Sequence, residues 1–309
     1  MNCMICESKS KKILSRNHKL ERFERNFTLI ECLTCNHVMI EDPPSKEELD
    51  EYYRRSFWGE KKIVVDLESE WKKILKSNSS SYERYLRGKR QYNYITSKIK
   101  IDKNQKIIDI GSGISSILYQ FSKNNYDNLY ALEFDKKICE FLELRKINTI
   151  NSDIRDIVNS NNKFDLIIIS HTLEHVYDPE EFIHLVQNIS KKNTKLFIEV
   201  PFKDYLEPYN ENFHLHFFSK QSLETILNKN QFKLDSYEID SHNIFDKLTL
   251  KILFFFYKHL YIKSKKTIHK PSHIIEFIHK LWRPIRFFTK SKINIFISRR
   301  DIRTISNLN

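Results

Sequence analysis

Between residues 106 and 240, short apolar runs alternate with helical stretches, and this alternation is the strongest constraint on the fold. The runs are "KIIDI", "NLYALEF", "INTINSD", "FDLIIIS", "TKLFIEV" and "FKLDSYEI". Stretches such as "PEEFIHLVQNIS" and "SKQSLETILNKN" read as helices between them. Strands that alternate with helices imply a mostly parallel, doubly wound sheet. "INIFIS" at 293–298 reads as one more strand. The expected fold class is therefore α/β, with a seven-stranded Rossmann-like sheet.

Glycine usage marks one turn of that sheet. The chain has four glycines in 309 residues, where average usage of about 7% would give about 20. Gly111 and Gly113 both follow "KIID", forming a D-x-G-x-G turn from strand to helix. Glycine lets the backbone approach a ligand closely, and the following helix N-terminus favours an anionic group. The plain alternative is a turn packed without a ligand. Glu133 ends the second strand, where an acid can accept both hydroxyls of a ribose. Asp153 follows the third strand, where an acid can meet an adenine amino group. Each alone reads as a surface acid; in this order they describe a nucleotide site at the carboxyl ends of the strands. A dinucleotide fingerprint needs glycine where Ser116 stands, so that class fails.

These residues resemble the S-adenosylmethionine-dependent class I methyltransferases. The first motif of that family, acidic-x-G-x-G-x-G, is matched by Asp109, Gly111 and Gly113, with Ser115 at the third glycine. "FDLIIISHTLEHVYDP" is similar to the fourth-strand motif of small-molecule members. The resemblance covers roughly residues 85–240. It implies S-adenosyl-L-methionine as cofactor, held by Asp109, Gly111, Gly113, Glu133, Asp153, Ser170 and His171.

Four of the five cysteines form two C-x2-C pairs, Cys3 with Cys6 and Cys32 with Cys35, 25 residues apart. In a reduced compartment this pattern reads as a structural Zn2+ site with four thiolates, and no position is left for a catalytic water. Redox dithiols and unbound thiols are the alternatives; Cys139 reads as core. "CLTCNHVMIEDPPSKEELDEYY" resembles the zinc-binding N-terminal domain of sugar C-methyltransferases and related polysaccharide-biosynthesis enzymes. Asn36 stands where that family usually has glycine. The expected organisation is a zinc-ribbon-like module at 1–45, a linker and helical cap at 46–105 and the methyltransferase core at 106–242. A basic apolar insertion follows at 243–292, then the last strand and C-terminus at 293–309.

Histidines supply the acid–base candidates. The sugar C-methyltransferases carry H-E-H before an aromatic-Phe-Ser run, and "YNENFHLHFFS" resembles it. Aligned on Phe218-Ser219, His214 falls on the second of those histidines and Asn212 on the first. His214 is the leading catalytic base and His216 the second; a helix-capping role for the segment is the alternative. His175 reads as a pocket-shaping residue, and Tyr209 as an acceptor contact. The missing histidine weakens C-methylation, so the expected function is methylation of a sugar or glycan intermediate at carbon or oxygen. The implied substrate is nucleotide- or lipid-linked.

Residues 241–309 hold 15 Lys+Arg and 3 Asp+Glu, while the rest of the chain balances. The whole net charge of +12 therefore comes from the C-terminal fifth. "LTLKILFFFYKHLYIKSKK" is too short and charged to span a bilayer, but it could lie on an anionic membrane surface with its aromatics buried. With no apolar leader in "MNCMICESKSKK", the expected location is cytoplasmic, with peripheral association at the inner membrane face. Basic charge also fits a zinc-ribbon RNA methyltransferase, but "SHTLEH" stands where a base-flipping motif would be. A non-catalytic adaptor is the third class, set against by Asp109, Glu133 and Asp153.

Overall fold

A computed structural model describes residues 2–20, 23–56, 66–77, 81–206, 213–240 and 301–308. Residues 243–292, the expected strand 293–298, Tyr209 and Asn212 lie outside them. The chain divides into two compact units. The first unites Met1–Lys203, Glu211–Ile239 and Asp301–Asn309. The second, Asp204–Asn210 with Asp240–Arg300, contributes only 204–206 and 240 to the described residues.

The first unit opens with three short strands: β1 (Lys11–His18), β2 (Phe27–Cys32) and β3 (Val38–Ile40). Helices α1 (Lys46–Ser56), α2 (Leu67–Leu75) and α3 (Tyr82–Lys98) follow. The main alternation runs β4 (Ile107–Ile110), α4 (Ser116–Lys123), β5 (Leu129–Leu132), α5 (Lys136–Glu143), β6 (Asn148–Ile150) and α6 (Ile154–Asn159). It continues with β7 (Phe164–Ser170), a 3-10 turn (Leu173–His175), α7 (Pro179–Asn188) and β8 (Ser190–Pro201). The last elements are β9 (His216–Phe217), α8 (Lys220–Lys229), β10 (Phe232–Asp240) and β11 (Asp301–Leu308).

Seven strands form the main sheet in the order β10-β11-β8-β7-β4-β5-β6. The pairs β4·β5, β5·β6, β4·β7 and β7·β8 are parallel, and β11 runs antiparallel to β8. The chain starts in the middle, at β4, moves out to β6 and then crosses to β7. This reversal between β4 and β7 is the switch point where doubly wound sheets bind ligands. Strand alternation splits the core between the two faces. Ile108, Ile110, Ile167, Ile169, Leu196 and Ile198 bury on one side; Ile107, Leu129, Ala131, Leu166, Ile168 and Phe197 bury on the other.

The antiparallel strand beside β8 is Asp301–Leu308, later than the expected "INIFIS". Its "RTIS" reads as too polar for a buried strand. Yet Arg303, Thr304, Ile305 and Ser306 are all buried, because β11 lies between β10 and β8 rather than at an edge.

The amino-terminal strands form a second sheet, β1-β2-β3-β9. Its fourth strand is only His216 and Phe217, which pair with Met39 and Val38. Cys3, Ile5, Ile30 and Met39 share one core with Leu223, Leu227 and the main sheet. The cysteine-bearing segment is thus bonded and packed onto the domain that follows it.

Candidate functional site

The glycine turn sits at the end of β4. Gly111 adopts φ +69°, and a Cβ there would lie 2.5 Å from Thr172 Oγ1. Thr172, just past β7, donates to the Ile110 carbonyl at 3.0 Å. Gly111 therefore lets the β7 turn close onto β4. Gly113 also has positive φ, +51°, but nothing lies within 4 Å of its would-be Cβ. The closely packed glycine and the glycine facing open space are different residues. Gly88, on α3, has a third role: a Cβ there would lie 2.6 Å from the Ser116 backbone.

Ser115 takes the left-handed φ, +37°, of the glycine it replaces. Its hydroxyl donates to Asp109 Oδ2 at 2.6 Å and accepts from the Leu118 amide, capping α4. Glu133 leaves β5 buried, its Oε2 2.8 Å from the Gly113 amide and its Oε1 3.0 Å from the Asp135 amide. Burial raises its pKa against the pull of these amides. Asn151 donates to the Glu133 and Phe134 carbonyls at 2.9 and 2.8 Å, and Phe134 is left 71% exposed beside the carboxylate. Asp153 spends Oδ1 capping α6 through the Arg155 amide and pairing with the Arg155 guanidinium.

Burial pushes the Asp109 carboxyl up to about 7 from its ordinary 3.8, and the Ser115 hydroxyl works against that. An acid with a raised folded pKa holds its proton more tightly when folded. Its contribution to stability is full below the unfolded pKa and falls as pH rises through the folded one. A shift of about three units is worth up to about 4 kcal/mol. Asp109→Asn keeps an acceptor for Ser115 and should be more stable than the parent at about pH 8 but not at about pH 4. Urea denaturation at both values checks this; equal pH slopes would contradict it.

A second polar group occupies the end of β7. The Ser170 hydroxyl accepts from Gln91 at 2.7 Å. His171, at φ +54°, donates its amide to the Glu199 carbonyl at 2.9 Å. Its ring stands between two buried carboxylates: Nδ1 is 3.3 Å from Glu174 Oε1, and Nε2 is 3.4 Å from Glu199 Oε1. His175 Nε2 and His214 Nε2 each lie 3.9 Å from the same Glu174 oxygen. The two rings meet edge to face, with centroids 4.7 Å apart, and His175 Nδ1–H donates to the Phe213 carbonyl. Burial alone would raise the Glu174 pKa; the three surrounding histidines bring it down to about 2. Burial takes His175 down to about 4, so its ring is neutral near pH 7.

His214 and His216 face different surroundings. His214 belongs to the Glu174 group. His216 is held in β9, its Nδ1 3.1 Å from His37 Nε2, with the rings stacked. Burial pushes both imidazoles down, His216 to about 4. His216 thus ties β9 to the turn that leads into β3. Sequence reasoning passed over Glu174 and Glu199, although a charged residue in the apolar run "LFIEV" was a usable signal. Gln91 and Arg303 left no such mark.

The four cysteines converge. Cys3 Sγ is 3.6 Å from Cys35 Sγ, and Cys6 Sγ is 3.5 Å from Cys32 Sγ. All four sulfurs lie within 4.8 Å of one another. A tetrahedron with bonds of about 2.3 Å sets its sulfurs about 3.8 Å apart, so the cluster fits a four-thiolate metal. Each C-x2-C closes as a tight turn, with the Glu7 amide on Cys3 O and the Asn36 amide on Cys32 O. Asn36 adopts φ +55°, the conformation for which glycine is the usual choice. The Cys35 thiol favours the Cys3 thiolate, holding Cys3 down at about 5, while Cys35 itself is pushed up. Cys139 is buried elsewhere, beside the Glu133 carbonyl.

Among solved structures, the chain is similar to the 1,6-didemethyltoxoflavin-N1-methyltransferase of Burkholderia thailandensis, which holds S-adenosylhomocysteine. The TM-score is 0.53 at 8% identity, covering 94% of this chain and 100% of that one. This likeness shows the fold. A SAM-dependent methyltransferase from Archaeoglobus fulgidus has a TM-score of 0.46 at 19% identity, over 72% of this chain and 94% of that one. By sequence, the mitochondrial ubiquinone biosynthesis O-methyltransferase of Dictyostelium discoideum is 25% identical over 116 residues, 32% of this chain. The match spans about a third, 36%, of that relative's length. The methyltransferase-domain family matches residues 79–237, half of the 309 residues. The chain therefore belongs to the methyltransferase family, its methyltransferase domain spanning residues 79–237.

Proposed function

We propose that this chain transfers a methyl group from S-adenosylmethionine to an oxygen or carbon of a sugar or glycan intermediate, and that a zinc ion holds its amino-terminal strands. The observation that carries the reading is the pairing of Glu133 with the glycine turn. A buried carboxylate fixed by the Gly113 and Asp135 amides stands ready for a ribose, beside open space over Gly113. The exposed Phe134 ring offers a face for the adenine. Asp153 is assigned to the adenine from its place after β6, although helix capping occupies its Oδ1.

The acceptor reading rests on the group around Glu174. Residues 171–175 flank Thr172, which packs on Gly111, so imidazoles and a carboxylate stand next to the cofactor turn. In-line methyl transfer depends chiefly on positioning, and a base is needed only where the acceptor loses a proton. His214, beside Glu174, is suited to position that acceptor. The histidine pattern and the cysteine module support a sugar acceptor; the name of the Dictyostelium relative supports oxygen as the methylated atom. The basic, aromatic composition of 243–292 supports association with an anionic membrane surface.

Two measurements test these assignments. Glu133→Ala should weaken S-adenosylmethionine binding by about 1.5–3 kcal/mol, the worth of hydrogen bonds to a charged group. Unchanged affinity in titration calorimetry would remove the ribose role. Cys32→Ser should lose about one zinc ion per chain and lower Tm, because metal binding and folding are coupled in small modules. Unchanged metal content and Tm would remove the zinc. Labelled methyl transfer, screened against nucleotide-linked sugars, lipid-linked glycans and quinols, identifies the acceptor.

A further inference from the structure

We propose that Glu174, His175 and His214 bind a divalent transition-metal ion, separate from the four-cysteine site, with positions left open for an acceptor oxygen. The inference rests on the methyltransferase reading and makes His214 a ligand rather than a free base.

The argument begins with a buried anion. Glu174 is 1% exposed, and neither carboxylate oxygen makes a hydrogen bond among the described residues. A buried charge needs a partner that compensates its lost hydration. The surrounding imidazole nitrogens stand off at 3.3, 3.9 and 3.9 Å. A charge-assisted hydrogen bond would bring them to about 2.7–2.9 Å.

The tautomer of His175 sharpens the point. Its Nδ1 gives its proton to the Phe213 carbonyl. Its Nε2 faces the Glu174 carboxylate at 3.9 Å, a separation that leaves room for an ion between them. Histidine ligands of metals are commonly fixed in this way, by a hydrogen bond from the other ring nitrogen to a backbone carbonyl. The segment carrying Glu174 is itself anchored, since the Leu215 amide donates to the Glu174 carbonyl at 2.9 Å.

The geometry is near a binding arrangement. One donor atom from each of Glu174, His175 and His214 lies within 4.8 Å of the others. An ion bonded at about 2.1 Å to each would draw them to about 3.0–3.4 Å apart. Side-chain torsions supply a shift of that size. Two imidazoles and one carboxylate suit a divalent first-row ion and leave coordination positions open. His171 lies outside the ligand set, between Glu174 and Glu199.

The test uses the full chain, purified without chelator and counted by metal analysis. Wild type should carry about two ions per chain, one on four thiolates and one on this group. Glu174→Gln and His214→Gln should each carry about one. Cobalt(II), added to protein whose cysteines hold zinc, should give the weak ligand-field bands of a nitrogen–oxygen site without sulfur charge transfer. His214→Gln should abolish them. About one ion in the wild type together with no such cobalt spectrum overturns the site, whether or not the variants fold. Undiminished metal in both folded variants overturns it as well. Titration of S-adenosylmethionine into the same samples separates the two readings. Cofactor binding without the second ion removes only the metal site; the ion without cofactor binding removes the methyltransferase assignment.

Discussion

Arg303→Met is expected to destabilise the protein by about 3–5 kcal/mol at neutral pH, because it strands a charge in the sheet. Glu199 sits in β8 with no exposure, and Arg303 lies directly opposite it in β11. The guanidinium Nε donates to Glu199 Oε2, while Gln91 Nε2 donates to Oε1. Burial alone would drive the Glu199 carboxyl upward; His171 and Arg303 instead hold it near 2. A depressed folded pKa gives stability that is present above the unfolded value, 4.5, and lost as pH falls toward 2. Without the arginine, Glu199 would favour its neutral form, so the defect should be largest at neutral pH and shrink toward about pH 4. Replacing both partners, Glu199→Gln with Arg303→Met, should recover most of the loss, since an uncharged pair leaves no buried ion. Urea denaturation of the parent and the two variants decides it. A single-variant loss below about 1 kcal/mol would mean that the pair behaves as a surface bridge.

That pair also marks where sequence reading ends. Apolar runs reveal β4, β5, β7 and β8 because burial on both faces demands continuous Ile, Leu and Val. The D-x-G-x-G turn stands out because glycine is scarce in this chain. The cysteines are legible because a tetrahedral site fixes their spacing. β11 was hidden for the opposite reason: "RTIS" is polar, and its burial depends on Glu199, 104 residues away. In "FHLHFF" the sequence ranks His214 first and His216 second as bases, with nothing to show that their surroundings differ. Two residues apart, they would share one face of a strand, but β9 begins only at His216 and His214 lies before it. One meets Glu174 and the other His37. Asp153 was read as a cofactor contact, yet as the residue before α6 it also caps that helix. Ser115 looked like a departure from the glycine motif; its hydroxyl restores the turn by tying Asp109 to the first turn of α4.

The two glycines of the turn should respond differently to the same methyl group. At Gly111 an added Cβ meets Thr172 Oγ1 at 2.5 Å and Thr172 Cγ2 at 3.0 Å, at φ +69°. The left-handed conformation costs about 1–2 kcal/mol for a residue with a side chain, and overpacking adds about 1–3 kcal/mol. Gly111→Ala is therefore expected to lower stability by about 2–5 kcal/mol, the sum of both costs. It should also disturb the Thr172 bond to Ile110, and with it the turn that carries Glu174. Thr172→Ser, which removes the Cγ2 methyl and keeps the hydroxyl, should relieve part of that loss. At Gly113 the methyl meets nothing within 4 Å, so only the conformational cost, about 1–2 kcal/mol, remains. The same methyl would project into the space assigned to the cofactor, and affinity for S-adenosylmethionine should fall at least about tenfold, 1.4 kcal/mol or more. Thermal unfolding and titration calorimetry on the two variants form the comparison. Gly111→Ala should fail chiefly in stability, and Gly113→Ala chiefly in binding. A Gly113→Ala protein that binds S-adenosylmethionine as tightly as the parent would move the cofactor away from this turn.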